Sequence, residues 1–425
     1  MPRSAPESAQ PAPKRQSVAL ARESVAILRR LAGQVAEIAA LPIQRENADL
    51  WRRLNRVERV RPPVWINEIC WSEIDLGLQC QDEYCRSLET ELCQTLYQWR
   101  HLPVDMVVDG FVRCPLVIRD SGHGITGLET LPDHDFGARD YVPSIKSEAD
   151  IARITMPEVW VAWEATARAH ERLEAVFGGI LPVIDIGDRC TWFAPWDELV
   201  RYWGITELMN DLVERPELVE QGIERMVQAN LSRLDQLEAQ NALALNNNNL
   251  RVGSGGLGYS DELPQPDFDG QHVRPMDMWS SATAQIFSCM SPAMHERFAL
   301  RHEMRWLERF GLNCYGCCEP LHKKIHLLER IPRLRKISMS PWVDVEEAAE
   351  AMGKRYVFSH KPNPAVLAAE EWSPEAARAE LRYVLDRTRG CVVEVIMKDI
   401  STLRRQPERL WEWAQLAMEV TEEYA

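Results

Sequence analysis

Apolar residues follow two different patterns along this chain, and the change falls near residue 104. Before it, the segments 17–57 and 80–101 place apolar side chains three and four positions apart, as in amphipathic helices. The first 16 residues are rich in proline, alanine and serine and carry scattered charge, which predicts a disordered tail. We therefore expect a tail at 1–16 and an N-terminal helical cap at 17–103.

After residue 104, short apolar runs alternate with amphipathic helical segments. Strands separated by helices of roughly 10–15 residues form βαβ units with parallel pairing. The pattern predicts an α/β fold, a (β/α)8 TIM barrel at 104–425 that forms one structural unit with the cap. The predicted strands are Val104–Val112, Ile180–Ile186, Leu243–Leu245, Leu312–Cys314, Lys336–Met339, Tyr356–Ser359 and Val392–Met397.

The composition of the chain limits which kinds of partner and which cell compartment we expect. The net charge is −15 and no block of five basic residues occurs, which argues against nucleic acid and anionic membrane surfaces. No apolar run approaches the roughly 18 residues that span a bilayer, and the first residues lack the apolar stretch of a signal peptide. We expect a cytoplasmic protein whose eleven cysteines are thiols or metal ligands.

The densest group of reactive side chains follows the predicted strand Leu312–Cys314. Cys314 and Cys317 have Cys-x-x-Cys spacing, which lets two sulfurs converge on one soft metal ion. The alternative is that these are small buried thiols, since cysteine is among the most buried residue types. The metal interpretation predicts an open zinc site with ligands drawn from Cys314, Cys317, Cys318, Glu319 and His322.

Charged side chains also lie at the ends of the last two predicted strands. Glu394 stands inside the apolar run Val392–Met397, where a carboxylate either points into the barrel or pairs with a cation. Lys398–Asp399 falls at the mouth of that strand, where barrel enzymes carry catalytic groups. The pair His360–Lys361 can handle a proton or an anion, or can form a solvated turn. The predicted catalytic residues are Glu394, Asp399, His360 and Lys361.

Two further segments suit a polar substrate. The run Asn246–Asn249 offers four amides, and Gly253–Gly256 would let backbone N–H groups approach an anion. The alternative is a surface loop of turn residues. Trp65–Trp71 combines aromatic rings with a carboxylate, which suits a pocket wall or a hydrophobic clasp between cap and barrel. The predicted substrate contacts are Trp65, Asn67, Glu68, Asn248 and Tyr315.

Right-handed crossovers bring the C-terminal ends of all barrel strands to one rim. We therefore expect residues from distant parts of the chain to face one cavity. The N-terminal helices, which carry Trp65, should close that cavity from above or seal its side. The residues expected to meet are Trp65, Asn248, Cys317, His360 and Asp399.

The order of these segments resembles the uroporphyrinogen decarboxylase-like superfamily, which includes corrinoid-dependent, zinc-containing methyltransferases. The likeness extends from about Asp277 to the C-terminus, and a weaker likeness occurs near Trp65. Asp399 falls near the place of the methyltransferases' last zinc cysteine. The segments that carry the likeness are Asp277–Trp279 with Ser291–Pro292, Gly311–Gly316 at the place of the His-x-Cys-Gly zinc motif, Lys336–Ser340, and Ser359–Ala365 at the place of a Gly-Asn-x-x-Pro turn.

The resemblance implies a metal-dependent methyltransferase that moves a methyl group between a small substrate and a corrinoid cofactor or corrinoid protein. It implies zinc and a corrinoid as cofactors. Leu312 and Asn313 stand where the zinc motif has its histidine, so the ligands do not carry over one for one. Ile66–Ile69 replaces the arginine-rich segment that pairs the carboxylates of uroporphyrinogen, which argues against that substrate.

Two other functions stay open from the sequence. The first is a lyase or decarboxylase that acts on a small carboxylated substrate without a corrinoid. The second is a non-catalytic barrel that binds a ligand or a partner. The expected partners are a small-molecule substrate, a corrinoid protein and a second copy of the chain in a homodimer.

Overall fold

The computed structural model describes residues 20–130, 140–189 and 192–425. The tail predicted at 1–16 lies outside these residues. The strands are β1 Val64–Ile66, β2 Val112–Pro115, β3 Ile118–Asp120, β4 Leu128–Thr130, β5 Asp140–Val142, β6 Val159–Val161, β7 Val183–Ile186, β8 Trp279–Ala282, β9 Leu312–Tyr315, β10 Leu334–Met339, β11 Val357–His360 and β12 Val392–Met397.

Helices occupy most of the remaining chain. The α-helices are α1 Arg22–Ala39, α2 Ile43–Asn55, α3 Glu83–His101, α4 Glu148–Ile151, α5 Trp163–Phe177, α6 Pro195–Trp203, α7 Ile205–Glu214, α8 Pro216–Ala239, α9 Pro292–His295, α10 Arg301–Leu307, α11 Ile325–Leu328, α12 Val345–Met352, α13 Ala365–Ala368, α14 Pro374–Arg387 and α15 Glu408–Glu422. A π-helical turn, Glu296–Leu300, joins α9 to α10. Pro42 stands between α1 and α2, where its ring and missing N–H interrupt the helix.

Six parallel strands form the main sheet in the order β1–β12–β11–β10–β9–β8. Strands β8 to β12 follow one another both in the chain and in the sheet, and helices make the crossovers that parallel pairing requires. β2 and β7 form a separate parallel pair. Single bridges from Asp188 to Leu243 and from Phe193 to Ala282 link neighbouring segments to these sheets. The fold is mixed α/β with a half-barrel sheet, and a closed eight-stranded barrel stays a prediction.

Alternation along the strands divides the sheet into two faces. Val393 and Val395 belong to the large core that the helices cover, whereas Val392 and Ile396 belong to a small cluster with Trp51 of α2. Because successive side chains of a strand point to opposite faces, Glu394 shares the second face. That second face is the concave, inner face of the half-barrel.

A glycine-rich hairpin, residues 250–258, fills the inner face. Leu257 at its base packs with Val357 and Val392, the first residues of β11 and β12. At its tip, the hydroxyl of Ser254 donates to the carbonyl oxygen of Gly316, just beyond β9, at 3.0 Å. The hairpin therefore enters at the N-terminal ends of the strands and points towards their C-terminal ends.

The N-terminal segment contributes more than helices. β1 lies inside the segment predicted as a helical cap, and its Trp65 pairs with Ile396 at the edge of the main sheet. Trp51 of α2 packs at the N-terminal ends of β11 and β12, so α2 closes the end opposite to the one expected. The predicted strand Val104–Val112 is irregular until β2 begins. The backbone N–H of Asp105 donates to the carbonyl oxygen of Val64, and the carboxylate of Asp105 accepts from the N–H of Val64.

No helix in the described parts of the chain is long and apolar enough to cross a membrane.

Candidate functional site

Two cysteines and a lysine meet at the C-terminal edge of the main sheet. β9 ends at Tyr315, and the next residue, Gly316, has a φ of +91° that suits glycine and turns the chain sharply into Cys317 and Cys318. Lys398 directly follows β12, and its Nζ lies 3.1 Å from Sγ of Cys317 and 3.5 Å from Sγ of Cys318. The two sulfurs are 3.5 Å apart. We call these residues, with Asp399, the thiol–lysine cluster.

The cluster favours a thiolate. The thiol of Cys318 donates to Cys317, and with the ammonium of Lys398 it lowers the pKa of Cys317 to about 7 against the opposing effect of burial. The same pairing raises the pKa of Cys318. The pair therefore holds one negative charge near neutral pH, on Cys317.

Asp399 completes the cluster from a left-handed backbone conformation, with φ of +56°. Its Oδ2 lies 2.9 Å from Nζ of Lys398 and 3.5 Å from Sγ of Cys318. Its backbone N–H donates to Oε2 of Glu68, beyond β1, at 2.8 Å. Because aspartate tolerates this conformation better than most side chains, the turn can aim its carboxylate at the thiols.

A chain of buried polar groups lies beneath the cluster. Nζ of Lys336 donates to Oε2 of Glu394 at 2.7 Å, and the hydroxyl of Ser359 donates to Oε1 at 2.5 Å. Nζ of Lys361 in turn donates to that hydroxyl at 2.7 Å. Burial favours the neutral forms, yet Lys336 and Lys361 together hold the pKa of Glu394 below its ordinary value. Burial lowers the pKa of Lys361 to about 8.

A cavity of about 290 Å³ lies between β1 and the irregular segment that precedes β2, and no residue of the thiol–lysine cluster lines it. Asn67 lines it and reaches the hairpin, with Nδ2 3.4 Å from the carbonyl oxygen of Ser254. Its buried Oδ1 finds no donor among the described residues, so it remains able to bind a ligand. Trp65 lines the same cavity. Other polar side chains in the lining include those of Asp109, Arg113, Asn249 and Arg251.

The thiol–lysine cluster is arranged around one cation, and Lys398 supplies it. Its ammonium lies within 3.5 Å of the ligand atoms of Cys317, Cys318 and Asp399. Zinc would need bonds of about 2.0–2.3 Å to the same atoms, and Lys398 would have to leave. In the described part of the chain, the one group of three His, Cys, Asp or Glu ligands within 4.8 Å of one another lies elsewhere, at Cys114, His170 and Asp185. The cluster as it stands does not fit a zinc ion.

Of the other predicted metal ligands, Glu319 is hydrogen-bonded, His322 faces a neighbouring helix and Cys314 is buried in the sheet. Oε1 of Glu319 accepts from Thr283 at 2.5 Å, and Oε2 accepts from the N–H of Cys317 at 2.6 Å. His322 lies beside Glu347 of α12, with Nε2 4.0 Å from its carboxylate. Cys314 is fully buried on the inner face among apolar side chains, and burial raises its pKa to about 12. Glu319 thus braces the turn that carries Cys317.

Three predicted site residues lie away from the cluster. Tyr315 points to the helix side of the sheet, where its hydroxyl donates to Glu303 at 2.7 Å. His360 follows the inward-facing Ser359 and so points to the helix side, where burial lowers its pKa to about 3. Asn248 is exposed and bonds to the carbonyl oxygen of Leu245.

Of the residues predicted from the sequence, Asn67, Glu68, Cys317, Cys318 and Asp399 lie near one another. Lys398 was placed at the mouth of its strand but was not chosen as a site residue. Its position directly after an apolar strand was the available signal, as it was for Asp399. Ser254 and Ser338, whose hydroxyl groups lie 3.1 Å apart beneath the thiols, carried no such signal.

Comparisons with known proteins add little to this geometry. No family model matches the chain, and no curated protein matches it. Among solved structures, a methyltransferase from Methanosarcina mazei aligns with 89% of this chain and 98% of its own, at 12% identity and a TM-score of 0.47. At that distance we carry neither its fold nor its activity over to this chain.

Proposed function

We propose that this chain is an enzyme that transfers a methyl group from a small substrate, with the Cys317 thiolate as the group that receives it. The observation that carries the proposal is the position of the Lys398 ammonium, 3.1 Å from Sγ of Cys317. A thiolate is a soft nucleophile suited to attack on carbon, and a neighbouring cation keeps it ionised near neutral pH.

The step is a displacement at the methyl carbon. The Cys317 sulfur forms a bond to carbon as the bond from carbon to the substrate's nitrogen or sulfur breaks. The leaving atom keeps the electron pair, so a substrate with a positively charged methylated nitrogen or sulfur departs neutral and needs no proton. The resulting thioether no longer carries the charge that Lys398 balanced, and Asp399 remains as the counter-ion, 2.9 Å away.

We assign substrate binding to the cavity next to β1. It is connected to the cluster through Asn67, because the next residue, Glu68, accepts from the backbone N–H of Asp399. Asn67 offers a buried acceptor oxygen, and the indole of Trp65 suits a cationic group. A volume of about 290 Å³ limits the ligand to a small molecule.

The finer prediction, a zinc- and corrinoid-dependent reaction, rests on the sequence resemblance. Lys398 occupies the place of a cation between the thiols, so we derive no step through zinc there. A reduced corrinoid would supply a strong nucleophile able to accept the methyl group. A corrinoid protein and a homodimer also remain proposals.

Methyl donors labelled with a heavy isotope test the proposal. The full chain would be incubated with a panel of methylated amines, sulfonium compounds and methyl ethers, and Cys317 would be examined by peptide mass spectrometry. We expect one labelled methyl group on Cys317 with at least one donor. Lys398→Met should slow its formation, and Lys398→Arg should restore much of it. A panel that leaves Cys317 unlabelled, with the label found on no other residue, would count against methyl transfer through this thiol.

A carboxy-lyase is the second candidate, because Lys361 and Lys398 place two buried cations at the same edge. Cations hold a substrate carboxylate and stabilise charge that develops as carbon dioxide leaves. The two functions respond differently to substitution. Cys317→Ser should abolish methyl transfer and spare decarboxylation, whereas Lys361→Met should affect decarboxylation more.

A further inference from the structure

A second group of metal-ligating side chains lies on the β2–β7 pair, outside the main sheet. Cys114 of β2 and Asp185 of β7 are directly opposite in the parallel register. Nδ1 of His170, on α5, lies 2.8 Å from Oδ1 of Asp185. One ligand atom from each residue lies within 4.8 Å of the other two.

The register of α5 places His170 over this strand pair. Thr166, one helical turn earlier, is buried, and its Oγ1 accepts from the backbone N–H of Val117, just past β2, at 2.9 Å. Residues four apart lie on the same face of a helix, so the anchor at Thr166 directs His170 towards Cys114 and Asp185. The three ligands therefore stand on rigid elements rather than on a loop.

We propose that Cys114, His170 and Asp185 form a zinc site. Tetrahedral coordination with bonds of about 2.0–2.3 Å places ligand atoms roughly 3.3–3.8 Å apart, so small side-chain rotations would complete the set. A thiolate, an imidazole and a carboxylate together suit zinc better than calcium or magnesium, which prefer oxygen ligands.

One side of this three-residue site is open to solvent. The side chain of Cys114 is fully buried, whereas His170 and Asp185 are 35% and 49% exposed. Three protein ligands with a solvent-facing fourth position are the arrangement of a zinc ion that binds water or a small ligand. The site is independent of the thiol–lysine cluster and does not rest on the proposed methyl transfer.

The same three residue types also occur in cysteine nucleophile triads, but the geometry here differs. In a triad the histidine stands between the thiol and the carboxylate and takes the thiol's proton. Here Asp185, directly opposite Cys114 in the strand register, is itself the hydrogen-bond partner of that thiol. Asp185 thus contacts both Cys114 and His170, the place that the histidine holds in a triad, and a metal ion can displace the thiol's proton.

Zinc titration of the full chain, stripped of metal by a chelator, tests the site. We expect one equivalent to bind at the site, and Co²⁺ used as a probe to show the sulfur-to-metal charge-transfer absorption of a thiolate ligand. Loss of an outer-shell partner alone weakens metal binding about 10–100-fold, so loss of a ligand should cost at least as much. His170→Gln and Asp185→Asn, both at partly exposed positions, should show that loss without unfolding the chain.

Cys114→Ser should abolish the charge-transfer absorption, with circular dichroism as the check on folding. The matched control is Cys317→Ser/Cys318→Ser, which should bind zinc as the parent does. Unchanged affinity in both His170→Gln and Asp185→Asn would overturn the proposal. Loss of zinc in the Cys317→Ser/Cys318→Ser control alone would overturn it too and would place the metal at the thiol–lysine cluster.

Discussion

Lys336 and Glu394 form an ion pair whose two side chains are both fully buried, with Nζ 2.7 Å from Oε2. Both residues project from neighbouring parts of the inner face, and the hairpin closes over them, since the N–H of Gly256 donates to Oε1 of Glu394 at 3.1 Å. Removing one charge from such a pair leaves the other buried without compensation. The pair therefore links the sheet to the segment that fills it.

Glu394→Gln should lower the free energy of unfolding by about 3–5 kcal/mol, measured by denaturant unfolding near neutral pH. The double variant Lys336→Met/Glu394→Gln should cost less, because the Lys336 ammonium is removed together with its partner and the amide oxygen can still accept from Ser359. The pKa of Glu394 is lowered from 4.5, so the stability that its charge contributes is present above pH 4.5 and lost as pH falls below it. A double variant less stable than the single one would contradict this account.

Gly256→Ala should also destabilise the fold. A Cβ at Gly256 would lie 2.3 Å from Cζ3 of Trp51, between the hairpin and α2. Overpacking of this kind typically costs about 1–3 kcal/mol in the free energy of unfolding. Gly33→Ala is the matched control, because its Cβ would meet nothing within 4 Å in the middle of α1 and should stabilise the helix by about 0.5–1 kcal/mol. Equal stability of the two variants would show that the hairpin is not packed against Trp51.

Glu303 should make stability fall as pH rises. Burial, with the charges of Glu319 and Asp197, raises the pKa of Glu303 from 4.5 to about 8. The folded chain thus holds a proton that the unfolded chain releases, so the stabilisation is complete below pH 4.5 and is lost as pH rises through about 8. Glu303→Gln stays neutral and can still accept from Tyr315. Its thermal midpoint should decline less than the parent's between about pH 6 and pH 9, whereas the exposed Glu308→Gln should follow the parent.

The strands of the main sheet were largely predictable from the sequence. The run Val392–Met397 matches β12 in full, because β-branched residues fill both faces of a strand that is buried on both sides. The role of residues 250–258 was not predictable. The sequence indicated that these glycines form a loop that binds an anion. In the structure they allow a hairpin to pack where a Cβ would collide with Ser281, Glu394 or Trp51. Packing of that kind involves residues too distant in sequence to show a pattern.

The candidate site was predictable where residues directly follow strands. Cys318 and Asp399 meet because β9 and β12 run parallel and end at one edge of the sheet. His360 was predicted to face the site, but its neighbour Ser359 takes the inward position and His360 faces the other side of the sheet. The sequence alone does not decide which side a strand's last residue faces. The ammonium between the thiols could not be foreseen, because a lysine after a strand is equally compatible with a solvated surface.

The last prediction concerns the ionisation of Cys317. Its rate of alkylation by iodoacetamide, followed by peptide mass spectrometry, should rise with pH around a midpoint of about 7, since only the thiolate reacts. Lys398→Met removes the cation 3.1 Å from the sulfur and should move the midpoint up towards the ordinary value of 9.0. Lys398→Arg keeps the charge and should hold the midpoint low, and the exposed Lys354→Met should leave it unchanged. A parent midpoint near 9, or one that Lys398→Met does not move, would show that Lys398 does not stabilise a thiolate at Cys317, and the proposed nucleophile would have to be abandoned.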